Sequence, residues 1–437
     1  MEGAPPTSQI SEFFINGTSK LVVTVHNLIL GSILPDSIKP LTKIWFTENS
    51  TLAFFDTDNK TQTTETKAIT FPSESIQYLA SDSQNHIWMS AVGPAGLSNI
   101  IMYNPATRSN QTYPVPTNGA IIQGITVAPD NTIWFAEAGS KKIGHLVPES
   151  GQPPVEFAPP ASIYLAAPIQ VALDQSGNVW FTDHGSNQFG ELDTHSQPPI
   201  WRVFPIGYCA DNCLYGLPNS IFVDTKNTIW FSEHIAGRVG RYNPSTGVLT
   251  EYSVPGSNFP LMWWAMPGPH NLVWFVSYGL GQIGYVNASL PVAFSVGGVS
   301  SGINVQKGSY QRVPIFVTST RPEQLSFNSS ALSQDANGYT PLVYSSSQST
   351  TIAGAGVFSN SIQIFAAWNA TLGQRIMAVT TFDSRVSLSM FVKVNVVDSA
   401  FPYVAEGAVS LVVLGGVIPV VRSLTRPKKK PPGKVKV

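Results

Sequence analysis

Six tryptophans, Trp45, Trp88, Trp134, Trp180, Trp230 and Trp274, are followed three residues later by Glu48, Ala91, Glu137, Asp183, Glu233 and Ser277. Four of those six positions are acidic, and His184 and His234 stand immediately after two of them. Carboxylates brought to one level by successive repeats are hard oxygen donors for a divalent cation such as Mg²⁺ or Ca²⁺, or a ring for a basic ligand. An imidazole beside a carboxylate also supplies a group for proton transfer. Asp183, His184, Glu233 and His234 are therefore the candidate catalytic residues, and Glu48, Glu137, Asp183 and Glu233 the candidate metal ligands. The recurrence has an architectural reading too, in which each acid accepts hydrogen bonds from a neighbouring repeat's backbone or hydroxyls.

The tryptophans are spaced 43, 46, 46, 50 and 44 residues apart. The repeated phrase is TIWFSEHIAGRVGRY (Thr228–Tyr242), with relatives such as TIWFAEAGSKKIGHL and NVWFTDHGSNQFGEL. Before each comes an apolar run and a turn such as PDN, QSGN or TKN, and after it a turn of the type NPSTG and a last short strand. Four short antiparallel strands at a period in the forties predict a β-propeller blade, and no helical stripe competes with that reading. Six blades follow over residues 38–296. Residues 1–37 contain one apolar run, Leu21–Leu34, that could supply closure strands or a seventh blade.

Beyond Gly297 the tryptophan repeat stops. Residues 297–400 are Ser/Thr/Val-rich, with clear alternation from Val386 to Val397, which predicts an immunoglobulin-like β-sandwich. Tyr403–Val421 is the longest apolar stretch; as a helix its 19 residues would span roughly 28 Å, close to the ~30 Å hydrocarbon core. Residues 401–421 are thus expected to be a transmembrane helix, and 422–437 a basic cytoplasmic tail as positive-inside requires. That tail holds seven of the 25 basic residues and no acid. The rest of the chain carries 18 basic against 26 acidic side chains, a net of −8, which excludes nucleic acid as a partner on electrostatic grounds.

Charged residues are only 12% of the chain, and a surface poor in carboxylates suits an acidic exterior. The two cysteines, Cys209 and Cys213, are too few for a zinc site of familiar spacing; a short disulfide, and with it an oxidising compartment, is expected over two free thiols. Seven sequons, at Asn16, Asn49, Asn59, Asn110, Asn287, Asn328 and Asn369, fit the same exterior location. No phosphate-cradling loop, Gly-x-Ser-x-Gly elbow or His-Glu-x-x-His occurs.

The run Ile125–Glu137, ITVAPDNTIWFAE, followed by Lys142-Ile-Gly, resembles the repeats of the streptogramin (virginiamycin B) lyases over roughly residues 38–290. The resemblance implies a seven-bladed propeller, Mg²⁺, and a histidine base with a glutamate that open a cyclic depsipeptide by elimination. It also implies histidines just ahead of particular innermost strands. There this chain has Ile122-Gln123-Gly124, Pro168-Ile169-Gln170, Pro218-Asn219-Ser220 and Met262-Trp263-Trp264. Gln and Asn cannot act as general bases.

The expected function is therefore that of a membrane-anchored cell-surface protein, its body extracellular, displaying a propeller for ligand binding or scaffolding. Gln123, Gln170, Asn219, Trp263 and Trp264 would make a neutral, aromatic-lined mouth suited to a cell-surface protein or glycan. The alternative is a divergent metal-dependent lyase or hydrolase acting outside the cell.

Overall fold

In the computed structural model each repeat tryptophan occupies the second or third position of a short strand, as in Ile229–Glu233, that pairs antiparallel with the strands before and after it. The structure describes residues 7–13, 19–26, 30–35, 43–56, 66–207, 216–254, 261–277, 279–280, 282–289, 291–298, 302–331, 343–345, 348–398, 412–413 and 416–417. Among these the fold is all-β and propeller-like: four sheets of four consecutive strands, a fifth set of four within a nine-stranded sheet, and a sixth sheet of three. The innermost strands, Leu30–Pro35, Ser75–Ser81, Ile122–Val127, Pro168–Leu173, Pro218–Val223 and Met262–Pro267, pack each against the next. Among the described residues no strand pairing joins the sixth sheet to the first, and Thr7–Phe13 with Ser19–His26 forms a separate hairpin.

The phrase Trp-Phe…Ile-Gly has a packing cause. Phe135, Phe181, Phe231 and Phe275 lie across the strand from Gly144, Gly190, Gly240 and Gly284. A Cβ on Gly240 would come within 2.3 Å of the Phe231 ring, so the ring replaces the missing side chain. Three of the six tryptophans are fixed by an acid six residues upstream, a regularity that the sequence reading missed. The indole Nε1–H of Trp88, Trp180 and Trp230 donates to Asp82, Asp174 and Asp224 at 2.9, 3.1 and 2.9 Å. Each of these aspartates also accepts backbone N–H bonds from its own hairpin turn, where Asn85, Gly177 or Asn227 supplies the positive φ.

Each innermost strand is irregular near its start, and in four blades a hydroxyl two residues after the tryptophan takes up an N–H there. Thr47 accepts from Ser32, Ser90 from Tyr78, Thr182 from Gln170 and Ser232 from Ser220. Such bulges re-aim the residues at one end of the blade.

Residues from Phe294 to Val397 form two sheets with a common apolar core that includes Val313, Ile315, Phe327, Ile364, Val379 and Val392. This is the predicted sandwich in its coarser sense. It is not a free module: Val248–Ser253, the outermost strand of the fifth blade, pairs antiparallel with Val386–Val397, and Phe391 enters the cluster of Phe189, Phe204 and Tyr242.

Cys209, Cys213, Asn16 and Asn59 lie outside the described residues. So does Tyr403–Val421, except for the short pairing of Val412–Val413 with Gly416–Val417. Among the described residues no helix is long and apolar enough to cross a membrane. Of the other sequons, Asn49 sits exposed in a turn, Asn110 is exposed on an outermost strand, and Asn369 is exposed in a sandwich loop. Asn287 is half-buried and accepts the Ser289 N–H, while Asn328 lies on a strand paired on both sides.

Candidate functional site

The acids three residues after the tryptophans close their strands at one end of the blades, opposite the start of the innermost strand: Pro168 pairs with Asp183 and Pro218 with Glu233. Glu48, Glu137, Asp183 and Glu233 are all buried. They do not gather into one ligand set among the described residues. Three of them face the residue five positions on across their own hairpins, Lys142 for Glu137, Gln188 for Asp183 and Arg238 for Glu233, and Glu48 faces Thr51.

Asp183 accepts the Ala166 and Ala167 N–H groups at 3.0 and 2.7 Å and the Gln188 amide at 2.9 Å, yet burial holds its carboxyl above the ordinary value. Arg238 donates through Nε and Nη2 to Glu233 Oε2 at 2.8 and 2.6 Å, and its Nη2 stands 3.2 Å from Glu251. Glu251 also accepts the Gly207 N–H and the Ser387 hydroxyl. A second set of the same pattern lies in the third blade, where Lys142 sits 2.9 Å from Glu156, beside Glu137. Both outer acids, Glu156 and Glu251, come from the fourth strand opposite the phrase's glycine; in the fourth blade that place is Val203.

Two carboxyls around one cation leave an unbalanced charge that burial makes costly, so one of them retains a proton. Burial, joined by the neighbouring Glu251, pushes Glu233 well above the usual carboxylate range. Burial pushes Glu137 up to about 7, and its carboxyl takes a short hydrogen bond from Ser140. A raised carboxyl contributes stability that is fully present below its unfolded value and is lost as pH rises toward 7. Glu137→Gln should remove a slope of up to ~1.4 kcal/mol per pH unit between about pH 4.5 and 7. Urea unfolding at several pH values checks this; parallel curves for the variant and the parent would refute it.

The histidines do come together. His184 Nε2 and His234 Nδ1 are 3.3 Å apart, on adjacent blades, and the Trp263 indole meets the His234 ring edge-on at 5.1 Å. Backbone bonds fix the three: the His184 N–H donates to Ala167, the His234 N–H to Leu217, and the Met262 N–H to the His234 carbonyl. Burial, with His234 adding to it, drops His184 to about 4, and burial lowers His234 as well, so both imidazoles are neutral at neutral pH.

Trp263 is 41% exposed, the most open of the predicted ligand-binding residues that lie here. Asn219 is buried and spends its amide on the Trp263 carbonyl at 2.8 Å. The Gln170 side chain packs against Gly124, and Gln123 is half-buried. Trp264 turns into the channel, where its ring lies 5.4 Å from that of Tyr78 on the second blade. Tyr78, buried and unforeseen from the sequence, thus meets the sixth blade from the second.

The virginiamycin B lyase family model matches residues 37–293. The chain belongs to that family. Solved structures with the same fold include a streptogramin B lyase, 21% identical, with a TM-score of 0.50 over 59% of this chain and 80% of that one. Another is a catalytically inactive variant of virginiamycin B lyase from Staphylococcus aureus with quinupristin, 15% identical, TM-score 0.50, over 88% of this chain and 100% of that one. A search of the curated proteins finds no match.

The cation implied by the virginiamycin B lyase resemblance does not fit the residues present. Among the described residues no three His, Cys, Asp or Glu side chains gather as ligands, and of the acids expected to do so Asp183 and Glu233 are committed within their own blades. The starts of the innermost strands carry no histidine, but His184 and His234 reach that same end of the blades from the loops after the tryptophan strands.

Proposed function

We propose that this chain binds a neutral ligand outside the cell on the face formed by His184, His234 and Trp263. The observation that supports this most is the exposed Trp263 indole beside two imidazoles held neutral by burial. An aromatic edge with uncharged donors and acceptors suits a sugar or an uncharged peptide segment. The Tyr78–Trp264 contact favours a ligand that enters from one side only. We read the sandwich as an immunoglobulin-like spacer and Tyr403–Val421 as a single-pass anchor, supported by its apolar length and the basic tail behind it. Retention of the chain in membranes after an alkaline wash is the expected result for the anchor.

Trp263→Ala should weaken binding of a hit from an array of neutral glycans and peptides by about 30-fold, the ~2 kcal/mol typical of a lost aromatic anchor. Calorimetry with that hit checks it, and an unchanged affinity would end the assignment.

A second reading, a divergent lyase or hydrolase, is favoured by family membership and by the position of the histidine pair. Turnover of a cyclic depsipeptide that disappears in His234→Gln, together with calorimetric Mg²⁺ affinity, would turn the balance toward it.

A further inference from the structure

The sandwich has two ends of unlike character. At one, the hairpin around Arg385 adjoins the propeller, where the Ser253 N–H donates to the Arg385 carbonyl. At the other, strand Val386–Val397 ends and the chain leaves through Asp398. Register places three more segments at this exit: Gly373 pairs with Val396, Gln306 with Val397, and the Gly308 N–H donates to Ala366 at 2.7 Å.

These segments expose large apolar groups side by side. Trp368 is 70% exposed, Tyr310 56% and Leu372 55%. Trp368 does not project on a slack loop. Its indole lies flat on Gly308, where a Cβ would come within 2.2 Å of the ring and where φ is +72°. Among the described residues this end carries the cations Lys307 and Arg375, the latter donating its guanidinium to the Thr371 carbonyl and hydroxyl, and the acid Asp398.

Only residues 399–402 separate Asp398 from Tyr403, the first residue of the apolar segment. Five virtual bonds reach at most ~18 Å. A body anchored through Tyr403–Val421 must therefore hold this end of the sandwich within that distance of the bilayer. Trp and Tyr prefer the headgroup layer, where an apolar ring and a polar edge are both satisfied.

We propose that the exit end of the sandwich rests on the membrane that holds the anchor, with Trp368, Leu372 and Tyr310 in the headgroup layer. The inference builds on the anchor reading and adds the orientation of the body. It also decides the sequon Asn369-Ala370-Thr371, which lies in the same loop: a docked loop has no room for a glycan.

The test uses the full chain in phosphatidylcholine vesicles containing lipids with headgroup spin labels. A fluorophore is placed at Leu372→Cys, and for comparison at Ser384→Cys in the opposite hairpin, both in a Cys209→Ser, Cys213→Ser background. Quenching at position 372 several-fold above that at 384 is the expected result. Equal quenching, with the chain retained after an alkaline wash, overturns the docking alone, and release by the wash overturns the anchor beneath it. A glycan found by mass spectrometry on Asn369 of the native chain likewise overturns the docking.

Discussion

Arg238→Met is expected to destabilise the chain by about 3–5 kcal/mol at neutral pH, the cost of leaving buried carboxyls without their cation. The side chain is 5% exposed, and Glu233 and Glu251 on either side of it are fully buried. Without the guanidinium the two carboxyls confront each other, and their remaining donors among the described residues are the Gly207 N–H and the Ser387 hydroxyl on Glu251. The loss has a sign in pH. Burial already raises Glu233, so acidification supplies the proton that the lost cation made necessary, and the deficit of the variant should shrink toward pH 5. Adding Glu233→Gln and Glu251→Gln to Arg238→Met should recover much of the loss, because a neutral cluster carries no charge to solvate. Urea unfolding at pH 7.5 and 5 checks each step. A deficit of less than ~1 kcal/mol at the higher pH would show that water reaches the cluster.

Gly240→Val should cost roughly 3 kcal/mol or more, at or beyond the upper end of the usual overpacking penalty. The new Cβ lands 2.3 Å from the Phe231 ring, which is itself fully buried between blades and cannot swing out. Gly247→Ala is the control: it sits at φ +67° with open space around it, so its cost is backbone strain alone. Combining Gly240→Val with Phe231→Ala should cost less than the sum of the two, since the deleted ring vacates the space that the valine needs. Strict additivity in urea unfolding would mean that glycine serves some other purpose at this position.

Both predictions turn on contacts of different legibility. The Phe–Gly pairing was open to inspection in the phrase itself, because a two-strand hairpin of fixed loop length sets which residues oppose one another. The convergence of His184 and His234 was legible for a similar reason. They hold equivalent places in adjacent repeats, and a propeller brings equivalent places together. The role of the acids was half legible. Their recurrence marked them, yet their partners Arg238 and Lys142 sit five residues on, at a spacing that means something only once the hairpin register is known. Glu251 and Ser387 were beyond reach, because they meet across 136 residues of sequence through a pairing between two folding units. The aspartates beneath the tryptophans, Asp82, Asp174 and Asp224, stand at a six-residue spacing that gains its meaning only once the hairpin folds back on its strand.

The sheet shared by Val248–Ser253 and Val386–Val397 has a mechanical consequence. A load applied along the axis of Val386–Val397 runs along the length of that joined strand. The pairs from Tyr252–Val386 to Val248–Met390 are then loaded together, in shear, instead of being peeled one after another. The joint between the two units therefore resists best along that strand axis.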